Sequence, residues 1–153
     1  MKRKQLSSKE VRDLNKKIEI VFGLKDFFSK KDKVELWEDK FIAGNNTPLF
    51  VYVPELIPTL QSLLKRNFLK AITIDMPAVK YIVNGADVMR PGIVSFDEFM
   101  KNEIISIIDE KNKKPLAVGK ALYSSEEMKA MEKGKVVKNL HWIGDEVWMA
   151  KQE

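Results

Sequence analysis

The segment of residues 84–92, Asn-Gly-Ala-Asp-Val-Met-Arg-Pro-Gly, constrains the fold of this chain more than any other part of the sequence. Residues 72–83 precede it and predict a strand followed by a helix, which Pro77 opens because proline fits the first helical turn. Gly85 then stands where a left-handed helix C-terminus needs glycine. The segment therefore predicts a short helix joined through one glycine to a strand, which ends at a Pro-Gly turn.

Helices and short strands alternate along the rest of the chain. Ser7 and Ser124 are each followed by glutamate three residues later, and these capping boxes predict the start of two helices. A leucine stripe predicts another helix over residues 59–66. Alternating or apolar runs predict strands over residues 34–37, 41–43, 49–53, 103–109, 116–122, 136–140 and 147–150.

These elements predict an α+β fold with two domains. A helix and a small antiparallel sheet form the first domain, residues 1–70. Many short strands with two small helices fit a β pseudo-barrel, which we assign to residues 71–153.

The composition excludes several classes of protein. The chain has no cysteine and one histidine, which rules out disulfides and thiolate chemistry and argues against a zinc site. No apolar run reaches the length of a membrane span, and no apolar segment follows the basic N-terminus as in a secretory signal. Walker, serine-elbow and GxGxxG motifs are missing as well. We therefore expect a cytoplasmic protein with no membrane partner, metal or cofactor.

The charge is distributed unevenly. Residues 1–72 carry 15 Lys and Arg against 9 Asp and Glu, whereas residues 73–153 carry 12 against 13. A basic first half suggests a polyanionic partner such as RNA, although a lysine-rich face is often only a solvated surface. Any RNA contact in the second half must depend on a local basic patch.

In their order, the elements predicted for residues 72–151 resemble the PUA domain, an RNA-binding module of pseudouridine synthases and archaeosine transglycosylases. Besides the glycine segment, the resemblance rests on residues 115–122, Pro-Leu-Ala-Val-Gly-Lys-Ala-Leu. It rests equally on residues 140–148, Leu-His-Trp-Ile-Gly-Asp-Glu-Val-Trp. It covers about half of the chain and implies that the pseudo-barrel is a PUA domain.

The first half adds a resemblance to the malignant T-cell amplified protein family, and the same pair of domains opens the ligatin-type translation initiation factor. This resemblance rests on the order helix, small antiparallel sheet, then PUA domain, and on Pro58, Thr59, Leu60 and Leu63 before that domain. Residues 1–70 are then a pre-PUA domain. The cysteines of animal relatives and any long extension are missing, so the chain is similar to a compact archaeal-type member.

The resemblance implies a non-catalytic RNA-binding protein that acts in translation, at the small ribosomal subunit or near tRNA, in initiation or recycling. Its expected partners are structured RNA (rRNA or tRNA), the small subunit, and a protein resembling density-regulated protein that docks on the first half. Two alternatives stay open: an RNA-binding accessory subunit for tRNA or rRNA modification, and an enzyme. The missing nucleophile, metal and cofactor motifs argue against the enzyme.

The resemblance also implies candidate RNA-binding residues. In PUA complexes the loop between helix and strand approaches RNA closely, and small residues allow this because no side chain blocks the backbone. Lysine and arginine would contact phosphates without reading sequence. The candidates are Lys80, Gly85, Ala86, Arg90, Lys120 and Lys138. Each has a structural alternative, since a glycine can simply cap a helix and a lysine can simply be solvated.

No catalytic or metal-binding residue is predicted. His141, the only histidine, has no evident general-base partner in the sequence, so we expect a partly buried histidine on a strand. Trp37, Trp142 and Trp148 could stack on bases, but in alternating strands they are more often core residues.

Overall fold

The computed structural model describes residues 1–150, which form two compact units, Met1–Ile57 together with Ala150, and Pro58–Met149. Residues 151–153, the end of the predicted PUA domain, lie outside the described residues. No helix within residues 1–150 is both long enough and apolar enough to cross a membrane.

The first unit is a small sheet with one helix. Strands β1 (Arg3–Gln5), β2 (Val34–Trp37), β3 (Phe41–Gly44), β4 (Thr47–Tyr52) and β5 (Leu56–Pro58) lie side by side in that order, and helix α1 spans Ser8–Phe22. The α1 ring of Phe22 packs 5.7 Å from the β4 ring of Phe50, so the apolar side of the helix meets the sheet.

The ends of α1 follow from local chemistry. The Ser7 hydroxyl accepts the Glu10 N–H at 3.1 Å, and the Glu10 carboxylate accepts the Ser7 N–H at 3.0 Å. Two backbone donors that the helix leaves unpaired are thereby satisfied. The helix ends at Gly23, whose φ of 72° is left-handed. The predicted capping box and helix stop are both confirmed.

The second unit contains one six-stranded sheet and four short helices. Its strands are β6 (Ala71–Ile74), β7 (Val88–Met89), β8 (Ile93–Phe96), β9 (Ile104–Asp109), β10 (Pro115–Ala121) and β11 (Lys135–Trp142). Its helices are α2 (Leu60–Lys65), α3 (Met76–Ile82), α4 (Ser125–Lys129) and α5 (Glu146–Met149). The sheet order is β7-β11-β10-β9-β6-β8; β6 and β9 are parallel, and the other neighbouring pairs are antiparallel. The sheet is the near-closed barrel of the predicted α+β fold, which is confirmed.

A close approach of two strands explains one glycine of the barrel. A β-carbon on Gly119 of β10 would lie 2.6 Å from Cγ1 of Val137 and 2.8 Å from the carbonyl oxygen of Lys138, both on β11. No side chain fits at that distance, so glycine lets the two backbones meet. The core beneath consists of fully buried aliphatic side chains, chiefly Ile72, Ile74, Ile105, Ile107 and Val137.

Several local predictions are corrected. Residues 147–150 do not form a strand, because the Asp145 carboxylate accepts the Trp148 N–H at 2.7 Å and starts helix α5, as an N-cap residue does. Strands β1, β5 and β8 are additional to those predicted. Helix α2 packs on β10, and the compact second unit begins at Pro58, while the domain boundary at residue 70 stays a prediction.

Candidate nucleic-acid interface

Helix α3 is short because its two ends are fixed by the sequence. The Asp75 side chain caps the start by accepting the Ala78 N–H at 2.9 Å, and proline occupies the first turn. Beyond the end, Gly85 adopts a φ of 93°, and the next residue, Ala86, donates its N–H to the carbonyl of Tyr81 at 3.0 Å. The predicted left-handed glycine between helix and strand is confirmed. We call residues 83–87 the glycine loop.

The glycine loop rests on the indole of Trp142. A β-carbon on Gly85 would lie 2.8 Å from Cζ2 of that ring, closer than side-chain carbons approach one another. Gly85 is therefore required twice, by its backbone conformation and by the space above Trp142. The following Ala86 is exposed, so the backbone of the loop is accessible.

Strand β11 holds the same loop by hydrogen bonds. The side-chain amide of Asn139 donates to the carbonyls of Ile82 and Ala86, each at 3.0 Å. The backbone N–H of Asn139 donates to Oδ1 of Asp87 at 2.8 Å, and Oδ2 of Asp87 lies 3.0 Å from Nζ of Lys135. The loop is thus tied to β11 on both sides of Ala86.

The hydrogen bonds and charges around Asp87 favour its ionised form. Partial burial opposes the charged form, but the Asn139 N–H and the Lys135 ammonium outweigh it and hold the pKa of the Asp87 carboxyl below its ordinary value. The charge of Lys138 acts in the same direction, which indicates that this lysine also lies near the loop.

An open groove of about 520 Å³ runs between α3 and β7. We call it the α3–β7 groove. Its lining is mostly apolar, and Tyr81 is 60% exposed while Met89 is 51% exposed. Large exposed apolar surfaces of this kind mark binding sites. The lining residues are Pro77, Ala78, Tyr81, Ile82, Ala86, Asp87, Val88, Met89, Gly92 and Lys135.

Lysines surround the groove and the loop. Lys135 lines the groove, and Nζ of Lys80 on α3 lies 5.2 Å from the ring centre of Tyr81. Lys120 and Lys138 are directly opposite each other on β10 and β11. Of the six candidate residues, Gly85 and Ala86 therefore lie in the glycine loop. Lys120 and Lys138 face each other across adjacent strands.

Arg90 is placed differently from the other candidates. It lies in a 3₁₀ turn, not on a strand, and its guanidinium is partly buried. Its Nε donates to the carbonyl of Met128 at 2.9 Å, and its Cζ lies 5.4 Å from the ring centre of Phe96. The side chain therefore links α4 to β8. An RNA contact by Arg90 stays a prediction.

The groove also contains residues that are not among the predicted candidates: Tyr81, Met89 and Lys135, with Asn139 beneath the loop. Tyr81 had a usable signal, since it is an aromatic residue on the short helix before Gly85. Asn139 had one too, because strand alternation places this polar residue on the same face of β11 as Val137. Neither signal says which face of its element meets the loop.

His141 is fully buried, more deeply than expected, and it has a partner. Its Nδ1 lies 2.9 Å from Oδ2 of Asp145, and its Nε2 accepts the Leu60 N–H at 3.0 Å. Burial opposes ionisation of Asp145, but the His141 ring and two backbone N–H groups outweigh it and hold the pKa of the Asp145 carboxyl below its ordinary value. Both ring nitrogens are engaged within the protein, so neither is free to take a proton from a substrate.

The tryptophans divide between core and partial burial. Trp37 is fully buried, as expected for a core residue, whereas Trp142 and Trp148 keep some exposure. Among residues 1–150, no group of three or more His, Cys, Asp and Glu side chains is arranged to hold a metal ion.

Comparison with known sequences gives a consistent set of relatives. The sequence model for the PUA domain matches residues 70–143. An uncharacterized protein of Methanocaldococcus jannaschii is 41% identical over 98% of this chain and 97% of its own length. Translation machinery-associated protein 20 of Saccharomyces cerevisiae is 30% identical over 80% of this chain and 75% of its own length. Malignant T-cell-amplified sequence 1 of Rattus norvegicus is 31% identical over 84% of this chain and 76% of its own length.

Solved structures agree in fold. A hypothetical protein of Pyrococcus horikoshii superimposes with a TM-score of 0.82 and 32% identity, over 96% of this chain and 98% of that one. A more distant match is a chain of an H/ACA ribonucleoprotein bound to a substrate RNA. Its TM-score is 0.50 and its identity 26%, over 61% of this chain and 28% of that one.

Proposed function

Because the chain belongs to the PUA-domain family that includes translation machinery-associated protein 20 and malignant T-cell-amplified sequence 1, we propose that it is a non-catalytic RNA-binding protein that acts in translation. The observation that carries the proposal is the α3–β7 groove with the glycine loop at its side. The groove is exposed, mostly apolar and bordered by lysines, a combination that suits a nucleic acid.

The shape of the groove supports binding of unstacked nucleotides. A volume of about 520 Å³ and the exposed ring of Tyr81 suit a base that stacks on an aromatic side chain. The accessible backbone at Ala86 allows a strand to pass close to the loop. Lys80, Lys120 and Lys138 are then the side chains proposed to contact phosphates.

The names of the relatives support a role in translation. We propose structured RNA, either rRNA or tRNA, as the ligand, and the small ribosomal subunit as the place of action, in initiation or recycling in the cytoplasm. A protein partner resembling density-regulated protein is proposed for the first unit. There, Ile20 and Val21 of α1 are 84% and 49% exposed, which is the kind of apolar surface that protein partners cover.

A role without catalysis is supported by the state of His141. It is the only histidine, it is fully buried, and both of its ring nitrogens already have partners. A histidine that acts as a general base needs a free ring nitrogen within reach of the substrate proton.

The second candidate function is that of an RNA-binding accessory subunit for tRNA or rRNA modification. The similarity to a chain of an H/ACA ribonucleoprotein bound to a substrate RNA favours it. That similarity covers 61% of this chain, whereas translation machinery-associated protein 20 of Saccharomyces cerevisiae matches 80% of it.

The test is crosslinking of the chain to RNA in cells, followed by sequencing of the bound RNA. The proposal expects tRNA or the small-subunit rRNA to be enriched, and expects the enrichment to fall in a variant with both Tyr81→Ala and Lys135→Ala. A modification-guide RNA together with a modification enzyme would support the second candidate. No enrichment over a control protein of similar charge would contradict both.

A further inference from the structure

We propose that Asn139 is a positioning residue for RNA binding, which fixes the glycine loop in its binding shape without touching RNA itself. The inference rests on the proposed function of the α3–β7 groove. It starts from the two hydrogen bonds by which the Asn139 amide holds the carbonyls of Ile82 and Ala86, at 3.0 Å each. One carbonyl belongs to the end of α3, and the other lies within the loop.

The position of the amide makes this link specific. Asn139 faces Gly119 across the strand pair, where the missing side chain lets β10 and β11 approach closely. Its own N–H donates to Asp87 at 2.8 Å. One residue therefore holds three points of the chain, before, within and after the exposed Ala86.

Asparagine at this position carries an energetic penalty. Its side chain is buried, and its Oδ1 has no hydrogen-bond partner among residues 1–150. A buried acceptor without a partner destabilises a fold, so each such group needs an explanation. Leucine has nearly the same shape and would avoid that penalty, but it has no donors. We infer that asparagine is required at this position because its two N–H groups keep the loop carbonyls fixed.

Losing those donors should weaken RNA binding more than it weakens the fold. Without them, the loop would leave its bound shape for part of the time, while Trp142 would still support Gly85 from below. The apparent affinity falls in proportion to the fraction of molecules in the competent shape. A loop that is correct in a tenth of the molecules therefore binds about tenfold more weakly.

The experiment compares Asn139→Leu and Asn139→Ala with the parent chain, using bulk tRNA and purified small-subunit rRNA at low salt. Ser106→Ala is the matched control, because Ser106 is also buried and loses bonds to Asn67 and Lys70 on another part of the barrel. Affinity is measured well below the melting temperature of every variant. Amide hydrogen exchange at Ala86 and Asp87 reports the state of the loop.

We expect both Asn139 variants to bind RNA about tenfold more weakly and to exchange faster at the loop amides, with the control within about twofold of the parent. A folded Asn139→Leu chain that binds like the parent overturns the inference while leaving the proposed function intact. Failure of the parent to bind either RNA overturns both.

If neither Asn139 variant folds, measurements on the parent chain test the inference. Its Asn139 side-chain amide protons should be protected from exchange, and their NMR signals should shift when RNA is added. Signals that are unprotected, or that do not move with bound RNA, overturn the inference.

Discussion

Asp145 and His141 form a buried pair, with Oδ2 of the carboxylate 2.9 Å from Nδ1 of the imidazole. The opposite ring nitrogen accepts the Leu60 N–H, so the proton of the ring lies on Nδ1 and is donated to Asp145. The same carboxylate accepts the backbone N–H groups of Trp142 and Trp148. Asp145 therefore links the end of β11, the start of α5 and, through His141, the start of α2.

Removing this carboxylate should lower stability and change its dependence on pH. The pKa of Asp145 is lowered in the folded chain, so its contribution is present above the ordinary aspartate value of about 4 and is lost as pH falls through the folded value. Asp145→Asn should cost about 2 kcal/mol at pH 7 and less at pH 3, measured by urea unfolding. Asp109 and Asp87, whose pKa values are also lowered, keep part of the acid sensitivity in the variant.

The matched control is Asp13→Asn, an exposed carboxylate on α1. It should change the free energy of unfolding by less than about 0.5 kcal/mol at either pH. Equal losses for Asp145→Asn at pH 7 and pH 3 would contradict the assigned charge of Asp145.

Gly85 and Gly144 allow the two requirements on the glycine loop to be separated. Both have a φ of 93°, but a β-carbon on Gly144 would meet nothing within 4 Å, whereas one on Gly85 would collide with Trp142. Gly144→Ala should cost only the left-handed conformation, about 1 to 2 kcal/mol. Gly85→Ala should cost about 1 to 3 kcal/mol more because the indole must move. Thermal unfolding of the two variants measures the difference, and equal losses would mean that the indole yields freely.

The features that could be predicted from the sequence depend on residues close together in the chain. Ser7 with Glu10, and Gly85 after a helix that Pro77 opens, were predictable because the groups that interact are within a few residues. Strand alternation likewise predicted the barrel, since periodicity records which side faces the core. The α+β class needed no knowledge of distant contacts.

What could not be predicted depends on residues far apart in the chain. Arg90 is of a charged type that usually faces solvent, yet the fold brings the Met128 carbonyl 2.9 Å from its Nε. Asn139 meets the loop only because β11 passes beneath it. Those relationships appear only when the strand order is known.

Arg90→Ala should destabilise the fold. Its Nε bond to Met128 and its contact with the Phe96 ring would both be lost, at a cost of about 2 kcal/mol in the free energy of unfolding. Arg90→Lys keeps the charge but not the planar fork, so it should recover little of that loss. A change below about 0.5 kcal/mol in either variant, measured by urea unfolding, would contradict a structural role for this side chain.

Tyr81 tests the groove itself. Its ring is 60% exposed, so Tyr81→Ala should barely change the melting temperature. If a base stacks on the ring, RNA affinity should fall by about 1 to 3 kcal/mol, while Tyr81→Phe should bind nearly as the parent does. Fluorescence titration with labelled tRNA at constant salt measures all three chains. Unchanged binding by the alanine variant would exclude stacking on Tyr81.

The phosphate contacts can be tested by the salt dependence of RNA affinity in a Lys138 variant. If lysines around the loop neutralise phosphates, the logarithm of affinity should fall linearly with the logarithm of salt concentration. Lys138→Ala should reduce that slope by about one and weaken binding to different RNA sequences almost equally. Lys129→Ala removes the same charge from a lysine on α4 that is paired with Glu126, so it controls for net charge. The slopes of the two variants, measured between about 50 and 300 mM salt, should differ. Identical slopes would mean that Lys138 acts only through the overall charge of the chain.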